Sequence, residues 1–164
     1  MGGLAVDLSS LFPYVLFLHV IGAIIAFGPT FAFSIMGAMG GAEPQHANFA
    51  TRVTARITDR LVEPLAIFQG ITGVLLIVMS GRDLFGSAWL VIAIVLYLAA
   101  LGYSLSVQRR DVRRIIEMTS APPPPDATGP PPGLLEVVGR VQRAGAILGI
   151  VIVVIVFLMV VKPF

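Results

Sequence analysis

The sequence contains no cysteine, which removes disulfides, thiolate metal sites and a cysteine nucleophile together. Charge is almost as scarce. Asp, Glu, Lys and Arg make up 12% of the 164 residues against 57% that are apolar, a balance foreign to a water-soluble globule of this size. Histidine occurs twice, at His19 and His46, on segments too far apart to share a site, so a two-histidine haem within one chain is not expected. The chain also lacks a phosphate-binding glycine loop, paired catalytic carboxylates and any nucleophile–base arrangement. Enzymatic activity is therefore not expected, and no catalytic residue is assigned.

What is present is long apolar sequence. Cutting the chain at its charges leaves four uninterrupted intervals, residues 8–42, 64–81, 84–108 and 144–161. A helix needs roughly 20 apolar residues to cross about 30 Å of hydrocarbon, so four spans are predicted, at about 11–37, 61–79, 86–107 and 144–161. Unpaired backbone groups are too costly in lipid for anything but helices or closed barrels. The intervals are too long and too evenly apolar for barrel strands. Even ILGIVIVVIVFLMVV at 147–161, β-branched enough to suggest strand in water, is therefore expected to be helix. The fold expected is a single all-α integral membrane domain over 1–164, a four-helix up-and-down bundle with short outer connections.

MGGLAVDLSS has no basic leader, and the apolar run after it is too long for a cleaved signal, so the first span is expected to stay as an anchor. Nine of the eleven basic residues lie in two connections: Arg52, Arg56 and Arg60 in one, and Arg109, Arg110, Arg113, Arg114, Arg140 and Arg143 in the other. Arg82 and Lys162 stand on the opposite side. The positive-inside rule then puts both long loops in the cytoplasm and both termini outside a bacterial inner (plasma) membrane. Because the arginines follow the membrane, nucleic acid is not an expected partner.

Phe49, Val53, Ile57 and Leu61 recur every fourth position beside the arginine stripe of Arg52, Arg56 and Arg60, which predicts an amphipathic helix leading into span two. These arginines, with Arg109, Arg110, Arg113 and Arg114, are expected to meet anionic lipid headgroups; a face that docks a partner protein is the alternative. The seven prolines of TSAPPPPDATGPPPG predict an extended linker, centred on 121–133, before helix resumes near Leu134. Trp89, Phe85, Tyr14 and Phe164 are expected near the outer interface. Asp59, Arg60 and Glu63, within a turn of one another, are expected to form a local ion pair.

His19 is the one ionisable group of the first apolar interval, and such a group in hydrocarbon is a candidate site. Gly22, Ala23 and Ala26 share its helical face, so it should point toward a closely packed neighbour rather than lipid. Counted at 1.5 Å per residue, His19 and Gln69 lie roughly 12 and 15 Å inside, where imidazole and amide can meet across a helix interface. Pro29 is expected to kink the helix below. The sharper reading makes His19 a ligand for haem b or copper, with the thioethers of Met79 and Met159 on the same side of the membrane. Gly145 and Gly149 form a GxxxG pair suited to helix packing within the chain, in a homo-oligomer or against a membrane-protein partner.

LHVIGAIIAFGP, the QGITG turn at Gln69–Gly73 and the terminal LMVVKP resemble an uncharacterised family of bacterial four-span membrane proteins, a domain of unknown function, over essentially the whole chain. More distantly, the first-span histidine resembles copper-resistance D type membrane domains and small haem-binding protoporphyrinogen oxidases. That likeness implies metal or haem at His19. The chain departs from the oxidases in having no lysine inside the membrane, since its only one is Lys162.

Overall fold

Four helical stretches are long and apolar enough to cross a membrane in the computed structural model, which describes residues 8–84, 86–121 and 129–163. They are Ser10–Ala42, Pro44–Ser80, Ala88–Met118 and Leu134–Val161, with mean hydropathy from 2.0 to 3.2. No strand occurs among the described residues, and the β-branched run at 147–161 lies wholly inside a helix. A solvent without hydrogen bonds to offer overrides the β preference of valine and isoleucine.

The first span is α1 (Leu8–Ala42), which continues through Pro13 and Pro29 as one helix. A 3₁₀ turn, Pro44–His46, reverses the chain into α2 (Ala47–Ile57). A π-helical turn, Thr58–Val62, then joins α2 to α3 (Glu63–Ser80). Gly81 ends α3 in the left-handed conformation, φ 59°, which a side chain at that position would resist. After a short turn comes α4 (Ala88–Tyr103), a second π-helical turn, Ser104–Gln108, and α5 (Arg109–Met118). Beyond the proline-rich segment, of which 122–128 lie outside the described residues, α6 (Leu134–Val161) completes the bundle.

The spans close into a ring. Helix α1 packs on α3 and α6, α4 packs on α6, and Tyr97 of α4 reaches α3 by donating its hydroxyl to Ala66 O at 2.8 Å. Helices α2 and α5 pack on each other at the arginine-rich end. At the opposite end Trp89, Leu90, Ala93 and Leu158 form a buried cluster between α4 and α6, joined by Ile77, Ile155 and Met159. Trp89 therefore faces a helix rather than lipid, with Lys162 Nζ 5.9 Å from its ring centroid. Tyr14 is exposed, while Phe85 and Phe164 lie outside the described residues.

Candidate functional site

The α1–α3 interface brings together the polar side chains of the two spans. Gly22 and Ala26 are buried on α1, Ala23 is half-buried, and a Cβ added at Gly22 would lie 3.3 Å from both Gln69 Oε1 and Phe68. With no side chain at Gly22, the two backbones come close enough for short bonds. His19 Nδ1 is 2.7 Å from Thr72 Oγ1, and the Gln69 amide donates to the His19 carbonyl, also at 2.7 Å. The expected pairing of the His19 imidazole with the Gln69 amide is therefore not made: the ring bonds Thr72, and the amide bonds the His19 backbone. The helix crossing puts Thr72, one turn beyond Gln69, opposite the ring and leaves Gln69 opposite the backbone.

Thr72 also favours one tautomer. Its hydroxyl lies 3.0 Å from Phe68 O, the back-bond to the carbonyl four residues earlier that a helical threonine makes with its single proton. The hydroxyl then accepts from His19, which assigns the ring proton to Nδ1 and leaves the lone pair on Nε2. Nε2 has no hydrogen-bond partner among the described residues. Gly73 lines the same interface, its added Cβ falling 3.5 Å from His19 Cε1.

Chemically, the arrangement offers one oriented imidazole nitrogen with a fixed proton on the other. That is the form in which histidine binds iron or copper, the hydrogen bond from Nδ1–H acting as the orienting outer contact. Further protein ligands are not gathered around it. Met79 follows Gly73 by six residues, about 9 Å along α3, and Met159 belongs to the α4–α6 cluster. Among the described residues there is no group of three His, Cys, Asp or Glu side chains placed to hold a metal. His46 is exposed at the turn after α1, 3.8 Å from Glu43.

Tyr97 is a second polar tie that spacing along the chain does not reveal. Its hydroxyl packs where a Cβ on Gly70 would lie 2.7 Å away, so a side chain at that position would push it from its place on Ala66 O. On α6, Gly145 is exposed with Gln108 Nε2 4.0 Å from its would-be Cβ, and Gly149 has nothing within 4 Å.

At the arginine-rich end, the ion pair expected among Asp59, Arg60 and Glu63 is replaced by a longer-range one. Arg109 of α5 takes both acids, 3.3 Å from Asp59 Oδ1 and 3.6 Å from Glu63 Oε2, while Arg60 is exposed. Each π turn ends immediately before one of the partners, Glu63 in one case and Arg109 in the other. Glu63 Oε1 and Arg109 Nε are buried without hydrogen-bond partners among the described residues. Arg140 grips Asp111 with two bonds of 3.2 Å and Glu136 at 2.8 Å, tying α6 to α5. Asn48 donates to Ile116 O and Thr119 Oγ1, both at 3.0 Å, tying α2 to the end of α5.

Two of the arginines read as headgroup contacts or loop charges, Arg109 and Arg140, are therefore engaged inside the protein. Arg52, Arg56, Arg60, Arg110, Arg113 and Arg114 are exposed and make no ion pair or hydrogen bond among the described residues.

No curated protein and no solved structure matches the chain. The sequence profile of a family described as predicted integral membrane protein, DUF2269, matches residues 13–163. That match covers nearly the whole chain and agrees with four apolar helices, so the protein belongs to this family of integral membrane proteins.

Proposed function

We propose that the protein is a non-catalytic component of a membrane assembly, a bundle that packs against other membrane helices. The observation that supports this is the glycine pair of α6, where among the described residues nothing lies within 4 Å of a Cβ added at Gly149. The polar side chains of α1, α3 and α4, by contrast, tie the chain's own helices together. Small residues on a helix surface lower the distance of closest approach for a neighbour, in a homo-oligomer or a larger complex.

Because the native chain has no cysteine, a Gly149→Cys variant gives a unique reporter. Oxidation in membranes is expected to yield a covalent homodimer, or else the protein should co-purify with a partner in fixed ratio. A lone, uncross-linked protein would sink the reading.

A second reading is favoured by the free Nε2 of His19, which fits one ligand position on haem iron or copper. Such a centre would supply electron transfer or metal carriage, with His19 holding it and Thr72 orienting the ring. A Soret band or stoichiometric copper in protein purified in mild detergent, lost in His19→Ala, would establish this reading over the scaffold. A colourless, metal-free preparation would dismiss it.

The membrane proposed is the bacterial plasma membrane with both termini outside, on the strength of the arginine asymmetry. Single cysteines replacing Arg113 and Arg82 report on it. An impermeant thiol reagent added to intact cells is expected to label the second and spare the first, and the reverse pattern would invert the topology.

A further inference from the structure

We propose that the cleft between α2 and α5 binds the phosphate of one anionic membrane phospholipid, independently of either reading above. The cleft has a volume of about 470 Å³ and is lined by Arg52, Ala55, Arg56, Asp59, Arg113 and Ile116. Arg52 and Arg56 are four residues apart on one face of α2, and Arg113 comes from the facing helix, so three arginines from two elements line the cleft. None of the three makes an ion pair within 4 Å among the described residues, although Arg113 acts on the charge of Glu63, and the one acid in the lining, Asp59, is paired with Arg109 at 3.3 Å. A phosphodiester supplies the charge the cleft lacks, and the guanidinium fork matches its oxygens.

The surroundings favour a lipid over a free anion. A second hollow of about 180 Å³ shares Arg52 and Arg56 and is completed by Phe49 and Val53. Phe49 is 63% exposed, a large apolar side chain beside unpaired arginines. That juxtaposition suits an amphiphile whose phosphate sits on the arginines and whose acyl chain runs over Phe49 and Val53. The cleft also lies where it would meet headgroups, since α2 leads through one π turn into α3 and α4 leads through the other into α5. The seven arginines expected at headgroups are thereby sorted: Arg52, Arg56 and Arg113 grip, Arg109 braces the protein, and Arg60, Arg110 and Arg114 contribute only to the general field.

The test uses the full-length protein, delipidated in uncharged detergent and incubated with phosphatidylglycerol or phosphatidylcholine, with bound lipid counted by native mass spectrometry. One phosphatidylglycerol is expected to be retained in preference to phosphatidylcholine. Replacing a single cleft arginine by glutamine should weaken retention roughly five-fold, and R52Q/R56Q/R113Q on the order of a hundred-fold. The charge-matched control R60Q/R110Q/R114Q should leave it unchanged.

Equal losses in the two triple variants, or no preference between the lipids, would overturn the site. Displacement of the lipid by inorganic phosphate or glycerol phosphate at matching concentration would overturn the lipid as occupant. R52K/R56K/R113K, which keeps both charge and fold, should bind with intermediate affinity. Full affinity in that variant would overturn the grip by guanidinium forks.

Discussion

The α1–α3 and α4–α6 interfaces join helices of the same bundle and are made from different materials. The first is held by short polar bonds at Thr72 and Gln69 around a buried glycine. The second is a cluster of Trp89, Leu90, Ala93 and Leu158 with no side-chain hydrogen bond across it among the described residues. In lipid there is little hydrophobic gain from bringing helices together, so packing and hydrogen bonds carry association. An apolar contact tolerates sliding, whereas a bond between named atoms admits one register. Helices α1 and α3 thus hold an orientation, that of the His19 ring, while α4 and α6 hold volume.

The comparison is most severely tested at Trp89. Trp89→Ala empties a site only 6% exposed and is expected to cost about 3 kcal/mol, read as a shift in unfolding in mixed micelles, with the α1–α3 bonds unaffected. An effect near zero would mean that the cluster adds no packing. Gly22→Val should cost about 2 kcal/mol by overpacking, because its side chain meets Gln69 Oε1 and Phe68. Retention of wild-type stability would show that glycine does not govern the approach. The smallest effect belongs to Thr72→Val, about 0.6 kcal/mol in the same assay. Its informative readout is the nitrogen NMR of His19, where the proton should cease to favour Nδ1. An unchanged tautomer would remove Thr72 from the role of orienting group.

The four helices were legible because a long charge-free interval in a chain this apolar has one stable conformation in lipid. Gly22 and Ala26, which follow His19 at helical spacing, are both buried on α1. Gln69, at the depth counted for His19, donates to its backbone carbonyl and not to its ring. Counting residues fixes height along a span and says nothing of rotation, and rotation decides that Thr72 meets the ring. Arg109 was out of reach for a related reason. Local spacing puts Arg60 beside Asp59 and Glu63, but a helix distant in sequence arrives with better geometry. The signal for Thr72 was present, three residues after Gln69 and hence on the same face. No comparable signal exists for Arg109 or for Tyr97.

The two π turns, Thr58–Val62 and Ser104–Gln108, amount to a change of phase in an otherwise regular screw. Each lodges about one surplus residue in a continuous helix, so everything beyond it is turned by roughly 100°, the angular share of one residue. The chain can therefore choose its membrane-facing stripe and its arginine-bearing stripe independently of each other, although both lie on the same rod. Deleting the surplus residue from either turn would leave a regular helix with its two segments still in phase, whereas winding the same sequence as unbroken α-helix would aim one segment at the wrong neighbours.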